Sequence, residues 1–170
     1  MKRIWITIMV TVCCITASAQ KFALVDMEYI LKNVPAYERA NEQLNQISKK
    51  WEGEIEAILQ DVEAQYKKYQ SEVVFLSDAQ KQKSEEAIMA KEKEASDLRK
   101  KYFGSEGELF KKRQSLMAPI QDEIYNAVKD ISDQKGYQLI LDRASGGSII
   151  YASPKIDISD EVLQKLGYSY

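Results

Sequence analysis

The chain has no histidine among its 170 residues. That removes histidine triads, histidine-held metals and a histidine pH switch. It has two cysteines, Cys13 and Cys14, adjacent and close to the start. Neither charge sign dominates, with 24 Lys+Arg against 26 Asp+Glu and a net charge of −2. Proteins that hold nucleic acid usually show a clear basic excess, so no nucleic-acid partner is expected. There is no glycine-rich phosphate loop, because Gly146-Gly147 lies between apolar runs. The many acidic residues never group as a calcium loop. Asp26, Asp142 and Asp157 could converge, but capping and turn roles suit them better than catalysis. No catalytic constellation emerges, so no enzyme, metal or cofactor is expected. Hydrophobic residues at 45% and charged residues at 29% also exclude a membrane bundle and a disordered tail.

What is present begins with an address. Lys2 and Arg3 precede an uncharged, mostly apolar run over residues 4–15, and Ala17-Ser18-Ala19 follows. A charged start, a short apolar stretch and small residues before a cut describe a secretory signal peptide, residues 1–19. The run is short for a membrane span. Val12 and Cys13 stand where small residues would precede a lipid-bearing cysteine, which argues against a lipoprotein. Cleavage after Ala19 leaves a chain beginning at Gln20, without cysteine and two charges more acidic. It would work in an oxidising compartment with no disulfide to help it.

Residues 21–26, Lys-Phe-Ala-Leu-Val-Asp, read as a strand, and Asp26 can cap a short helix over 27–34. Pro35 suits the first turn of the next element. From Tyr37 one apolar stripe continues through Ala40, Leu44, Ile47, Trp51, Ile55, Ile58, Val62, Tyr66, Tyr69 and Val73 to Leu76. Steps of three and four define a very long helix. Its eleven-residue spacings, Leu44 to Ile55 to Tyr66, give little supercoil and predict a nearly straight rod. Ser77 then fits an N-cap, and a second helix-rich stretch runs to Gly136, which fits a left-handed cap. Segments 36–76 and 78–118 have equal length, about 60 Å each at helical rise. They predict an antiparallel hairpin over 36–118 with its tip near 77–78. Pro119 lies where the returning arm would re-enter a body. That body is discontinuous, residues 20–35 and 119–170. Beyond Gly136, residues 137–142 read as a strand, Gly146-Gly147 as a turn, 148–151 as the second strand of a hairpin, and 157–166 as a short closing helix. The fold class is α+β, a small β-rich body with a long helical hairpin inserted.

So small a body, without disulfide or metal, is marginal alone. Open sheet edges offer assembly between subunits. The outgoing arm is net acidic and the returning arm net basic, which favours their pairing. The clusters Arg99-Lys100-Lys101 and Lys111-Lys112-Arg113 are a solvated face or a contact for acidic clients or lipid head groups. Pairing about a tip at 77–78 sets Gly53 opposite Tyr102 and Gly104 opposite Trp51. These glycines either make room for the rings or, with Gly107, form a hinge halfway along the arm. Tyr66, Tyr69, Val73, Val74, Phe75 and Leu76 make the distal outgoing arm apolar opposite polar residues of the returning arm, with Val74 and Phe75 falling off the seam. They either hold the tip as interhelical core or form a weak, adaptable contact surface.

Together these residues resemble the Skp/OmpH family of periplasmic chaperones. The likeness rests on residues 21–27 through Ile30 to Val34-Pro35. It continues in the amphipathic helix over 120–133, the strand over 137–142, Ile149-Ile150-Tyr151, and the segment 157–166. The resemblance implies a jellyfish-like homotrimer whose bodies share a barrel and whose arms enclose a cavity. It implies a periplasmic holdase that keeps unfolded outer-membrane β-barrel proteins from aggregating without ATP. Barrel residues would be Phe22, Leu24, Leu139, Leu141, Ile149 and Tyr151, or the opposite face of those strands. Client-contacting candidates on the arms are Trp51, Tyr66, Tyr69, Val73, Val74, Phe75, Tyr102 and Phe103. Familiar members are strongly basic and this chain is not, so weak contact with an anionic membrane surface would be confined to the returning arm. The alternative is a structural coiled-coil adaptor or scaffold of the cell envelope.

Overall fold

The computed structural model describes residues 21–145 and 149–168. The signal-peptide reading and the Gly146-Gly147 turn fall outside them. The elements are β1 (Lys21–Val25), α1 (Met27–Lys32), α2 (Pro35–Glu72), α3 (Asp78–Phe103), α4 (Glu108–Lys135), β2 (Tyr137–Asp142), a single 3₁₀ turn (Pro154–Ile156) and α5 (Ser159–Lys165). They form two compact units, residues up to Val34 with those from Glu123 onward, and Pro35–Asp122.

In the first unit β1 pairs with β2 in parallel, Phe22 against Leu139, Ala23 against Ile140 and Leu24 against Leu141. The other edge of β1 meets residue 157 through a bridge at Leu24, and the Ile158 N–H donates to the Leu24 carbonyl at 2.9 Å. β1 is therefore central, which explains three consecutive buried residues, Ala23, Leu24 and Val25. Among the described residues the antiparallel hairpin expected between 137–142 and 148–151 is not formed. Residues 149–151 carry no strand, and Ile150 and Tyr151 are 101% and 82% exposed. The neighbour β2 uses is β1, and within one chain residues 149–151 find no ladder to join.

Around the sheet, Ile30, Val34, Ile124, Ala127, Ile131, Ile158, Val162 and Leu163 are buried. Each large apolar side chain among them contributes roughly 1.5–3 kcal/mol by leaving water. α5 runs antiparallel to α4, with Lys165 on Asp130 at 3.1 Å and Lys135 paired to Glu161. Gly136 ends α4 with φ of 70°, the left-handed conformation a side chain resists.

In the second unit α2 and α3 lie antiparallel. Asp61 meets Lys91 at 4.0 Å, Tyr69 meets Glu85, and Trp51 meets Tyr102. α2 runs unbroken through Gly53. Ala40, Leu44, Ile55 and Val62 form its buried stripe, with Ile88 and Ala95 buried from α3. The helix stops at Glu72, so Val73–Leu76 belong to the turn rather than the stripe. Two β-branched residues in sequence weaken helix continuation there. α3 then starts beyond Ser77, whose backbone N–H donates to the Gln80 side chain at 2.9 Å.

The returning segment departs from a single helix. It breaks between Phe103 and Glu108, and α4 continues through Pro119 to Lys135. A Cβ on Gly104 would lie 2.5 Å from the Lys100 carbonyl oxygen, and one on Gly107 2.8 Å from that of Tyr102. The break thus depends on both glycines. Pro119 sits inside the helix, where it removes one backbone hydrogen bond without stopping the run.

Candidate functional site

The middle of the second unit is an aromatic cluster. Trp51 and Tyr102 stack with centroids 4.5 Å apart and planes 3° from parallel, and Phe103 meets both edge-on. The Tyr102 hydroxyl donates to Glu54 Oε2 at 2.9 Å. That bond raises the Tyr102 pKa, with burial and the Glu54 charge adding to it. The cluster corrects the expected pairing of rings with glycines. Ring faces ring, because stacking gains contact that a glycine cannot offer. A Cβ on Gly53 would meet nothing within 4 Å, so that glycine makes room for no ring. Gly104 and Gly107 serve the backbone of the break instead.

Toward the tip, Tyr69 is half-buried and donates to Glu85, a bond that raises the tyrosine's pKa. Val73 and Leu76 are also half-buried. Tyr66 is exposed, and Val74 and Phe75 are 82% and 87% exposed. The six residues therefore divide by burial. Tyr69, Val73 and Leu76 hold the tip, while Tyr66, Val74 and Phe75 are presented to solvent.

The sheet in the first unit has unequal faces. Ala23 and Val25 are buried on one, with Ile140 half-buried beside them. On the other, Leu24 is buried but Phe22, Leu139 and Leu141 are 44–48% exposed. The three aspartates near this sheet do converge, on backbone groups and one arginine. Asp26 caps α1 by accepting the Tyr29 N–H at 2.9 Å, and Asp142 accepts the Met27 N–H at 3.1 Å. Asp157 accepts from the Ser159 N–H and hydroxyl. Arg143 bridges Asp26 at 3.0 Å and Asp157 at 3.2 Å. The Tyr29 N–H, opposed by partial burial and helped by Arg143, holds the Asp26 carboxyl below its ordinary value. Among the described residues no acidic cluster is arranged to hold a metal, and no helix is long and apolar enough to cross a membrane.

The family described as outer membrane protein (OmpH-like) matches residues 21–166. The chain belongs to the OmpH family. Curated relatives similar to this OmpH chain are named chaperone protein Skp. That from Yersinia enterocolitica is 24% identical over 89% of this chain and 88% of its own length. Those from Pectobacterium atrosepticum and Photorhabdus luminescens are each 23% identical over 88% of this chain and 87% of their own. The family is one of chaperones rather than enzymes. The crystal structure of an OmpH-like outer membrane chaperone from Caulobacter crescentus CB15 has the same fold. Its TM-score is 0.72 at 13% identity, covering 88% of this chain and 85% of that one.

Some exposed apolar residues of this OmpH chain escape a reading of its periodicity. Met89 is 66% exposed, Phe110 44% and Tyr125 66%. Met89 directly follows the buried Ile88. On a helix two adjacent positions cannot share one narrow face, which is the signal that Met89 points outward. The same adjacency sets Tyr125, which follows the buried Ile124, off its helix's core face, and nothing in the pattern singles out Phe110.

Proposed function

We propose that this protein is an ATP-independent periplasmic holdase, exported by residues 1–19, that binds unfolded outer-membrane β-barrel proteins and keeps them from aggregating. The observation that carries the proposal is an antiparallel helix pair that leaves Tyr66, Val74, Phe75 and Met89 exposed in a chain of a chaperone family. Exposed apolar side chains such as the adjacent Val74 and Phe75 offer contact points for unfolded apolar segments. Contacts of this kind are individually weak, and several acting together hold a chain tightly. Separating clients keeps their unpaired strand edges apart. Release then requires only a more favourable folded or inserted state of the client.

The proposed assembly is a homotrimer with inserted helical arms around a cavity. Its interface would be the exposed sheet face, Phe22, Leu139 and Leu141 with the buried Leu24, extended by Ile149, Ile150 and Tyr151. Residues 149–151 would gain in a neighbouring subunit the ladder they lack in one chain. The break at Gly104 and Gly107, at the level of the open position Gly53, would let the arms flex around clients of different size. Weak contact with an anionic membrane surface would use the lysines of α3 and α4.

Light scattering from a denatured outer-membrane β-barrel protein diluted out of urea tests the reading. Suppression near one trimer per client, with no nucleotide added, is expected. Undiminished aggregation at several-fold excess of folded, oligomeric protein would overturn the holdase and favour the envelope adaptor.

A further inference from the structure

Beside the aromatic cluster, α2 and the first two turns of α4 bound an open groove of about 500 Å³. Ile47 and Trp51 supply its apolar lining, and Lys50, Lys111 and Lys112 its charge. One face of the Trp51 indole is already covered by Tyr102, so Trp51 is held in place while it lines the groove. Glu108, also on the groove, is engaged by Lys111 at 3.3 Å. Lys50 and Lys112 have no acidic partner among the described residues. A neighbouring groove of about 310 Å³ carries Glu52, Glu56 and Arg99 around Ile55, Leu59 and Phe103. Its mixed charge selects no sign. The larger groove thus joins an apolar lining to unpaired ammonium groups in a chain of net acidic charge.

We infer that this groove is a subsite for an unfolded polypeptide segment in which an aromatic side chain stands next to a carboxylate. The inference rests on the holdase reading and specifies what the client offers there. The client ring packs on Ile47 and the Trp51 edge, where ring–ring contact is favourable. The neighbouring carboxylate accepts charge-assisted hydrogen bonds from Lys50 and Lys112, which are stronger than neutral ones. Both cations are exposed, so the selection is modest and sensitive to salt.

Trp51 makes the inference directly measurable. The chain has two tryptophans, and the other, Trp5, lies in the leader segment. In the chain beginning at Gln20 the emission is that of Trp51 alone. The probes are short capped peptides containing Phe-Glu, Phe-Gln or Phe-Lys in an otherwise glycine–serine sequence. The Phe-Glu peptide is expected to change the Trp51 emission and to bind about tenfold tighter than Phe-Gln, equivalent to about 1.4 kcal/mol. The double variant Lys50→Gln/Lys112→Gln should abolish that preference while keeping its helical circular dichroism. Equal response to all three peptides, or an unmoved Trp51, would overturn the subsite. A response to phosphatidylglycerol vesicles but not to Phe-Glu would also overturn it and assign the groove to lipid head groups. A chain that protects clients but leaves Trp51 unmoved fails this inference alone. A chain whose Trp51 responds to Phe-Glu but which protects no client keeps the subsite and fails the holdase reading.

Discussion

In the unit formed by residues 21–34 and 123–168 the buried apolar side chains are 0–5% exposed, with Ile30, Val34, Ile124, Val162 and Leu163 at 0–2%. In the unit formed by Pro35–Asp122 the core residues Ala40, Leu44, Ile55, Val62, Ile88, Ala95 and Ile120 are 3–9% exposed. Both units leave apolar side chains bare, Val74 and Phe75 in the second and Ile150 and Tyr151 in the first. The first unit also ties its strand ends together through Asp26, Asp142, Asp157 and Arg143. The second relies on one narrow seam, an aromatic stack and scattered ion pairs. Dense packing with satisfied polar groups specifies one conformation. A thin seam with exposed apolar side chains leaves room to adapt. Under the proposed holdase reading, architecture belongs to the first unit and contact with variable partners to the second.

The largest effect that would sharpen the contrast is a cavity in the tighter core. Leu163→Ala should cost about 2–5 kcal/mol. Ile55→Ala should fall at or below the lower end, because a helix pair relaxes into the space. Urea unfolding of the two variants checks this. An equal loss would mean that the units are equally well packed.

The aromatic stack comes next. Trp51 and Tyr102 should couple by about 0.5–1.5 kcal/mol in a double-mutant cycle. A coupling near zero would leave the break at 104–107 as the only defining feature at that level of the second unit.

Two glycine substitutions should then move stability in opposite directions. Gly53→Ala meets open space inside a helix and should stabilise by about 0.5–1 kcal/mol. Gly104→Ala forces a Cβ against the Lys100 carbonyl and should destabilise. Thermal unfolding distinguishes the two, and a stabilising Gly104→Ala would deny that the break is built into the backbone.

The smallest effect separates the two jobs of Asp26. Asn caps a helix about as well as Asp but cannot pair with Arg143, so Asp26→Asn should cost well under the roughly 1 kcal/mol of a lost cap. Asp26→Ala should cost about that whole amount. The Asp26 carboxyl is held below its ordinary value of 3.8, so its contribution is complete above that pH. It is lost as pH falls through the lower, folded value. Asp26→Asn should therefore flatten the acid limb of a stability-against-pH curve below about pH 4. An unchanged limb would show that other carboxylates set it.

How much of this was legible beforehand differs between the units. The long outgoing helix could be read because a three-and-four spacing persists over many turns. Asp26 and Gly136 could be read because a cap has a local signature. The parallel pairing of β1 with β2 could not, because their register is set by partners more than a hundred residues away. The break at 104–107 was masked by helix-favouring neighbours, and its two glycines were visible as weak points but not as a stop. The ring-on-ring stack escaped because a tip placed at 77–78 sets the register about one residue late, whereas the helix stops at Glu72 and the turn begins at Val73. Of the tip residues, adjacency marked Val74 and Phe75 as lying off the seam. No spacing rule separated the exposed Tyr66 from the half-buried Tyr69.

The most direct test of the adaptable unit is aggregation suppression by a Val74→Ser/Phe75→Ser variant beside the unaltered chain. Both side chains are exposed, so folding and oligomeric state should be unchanged. The account predicts that several-fold more of the variant is needed to suppress scattering from the same denatured β-barrel protein. Suppression at the same ratio as the unaltered chain would contradict it.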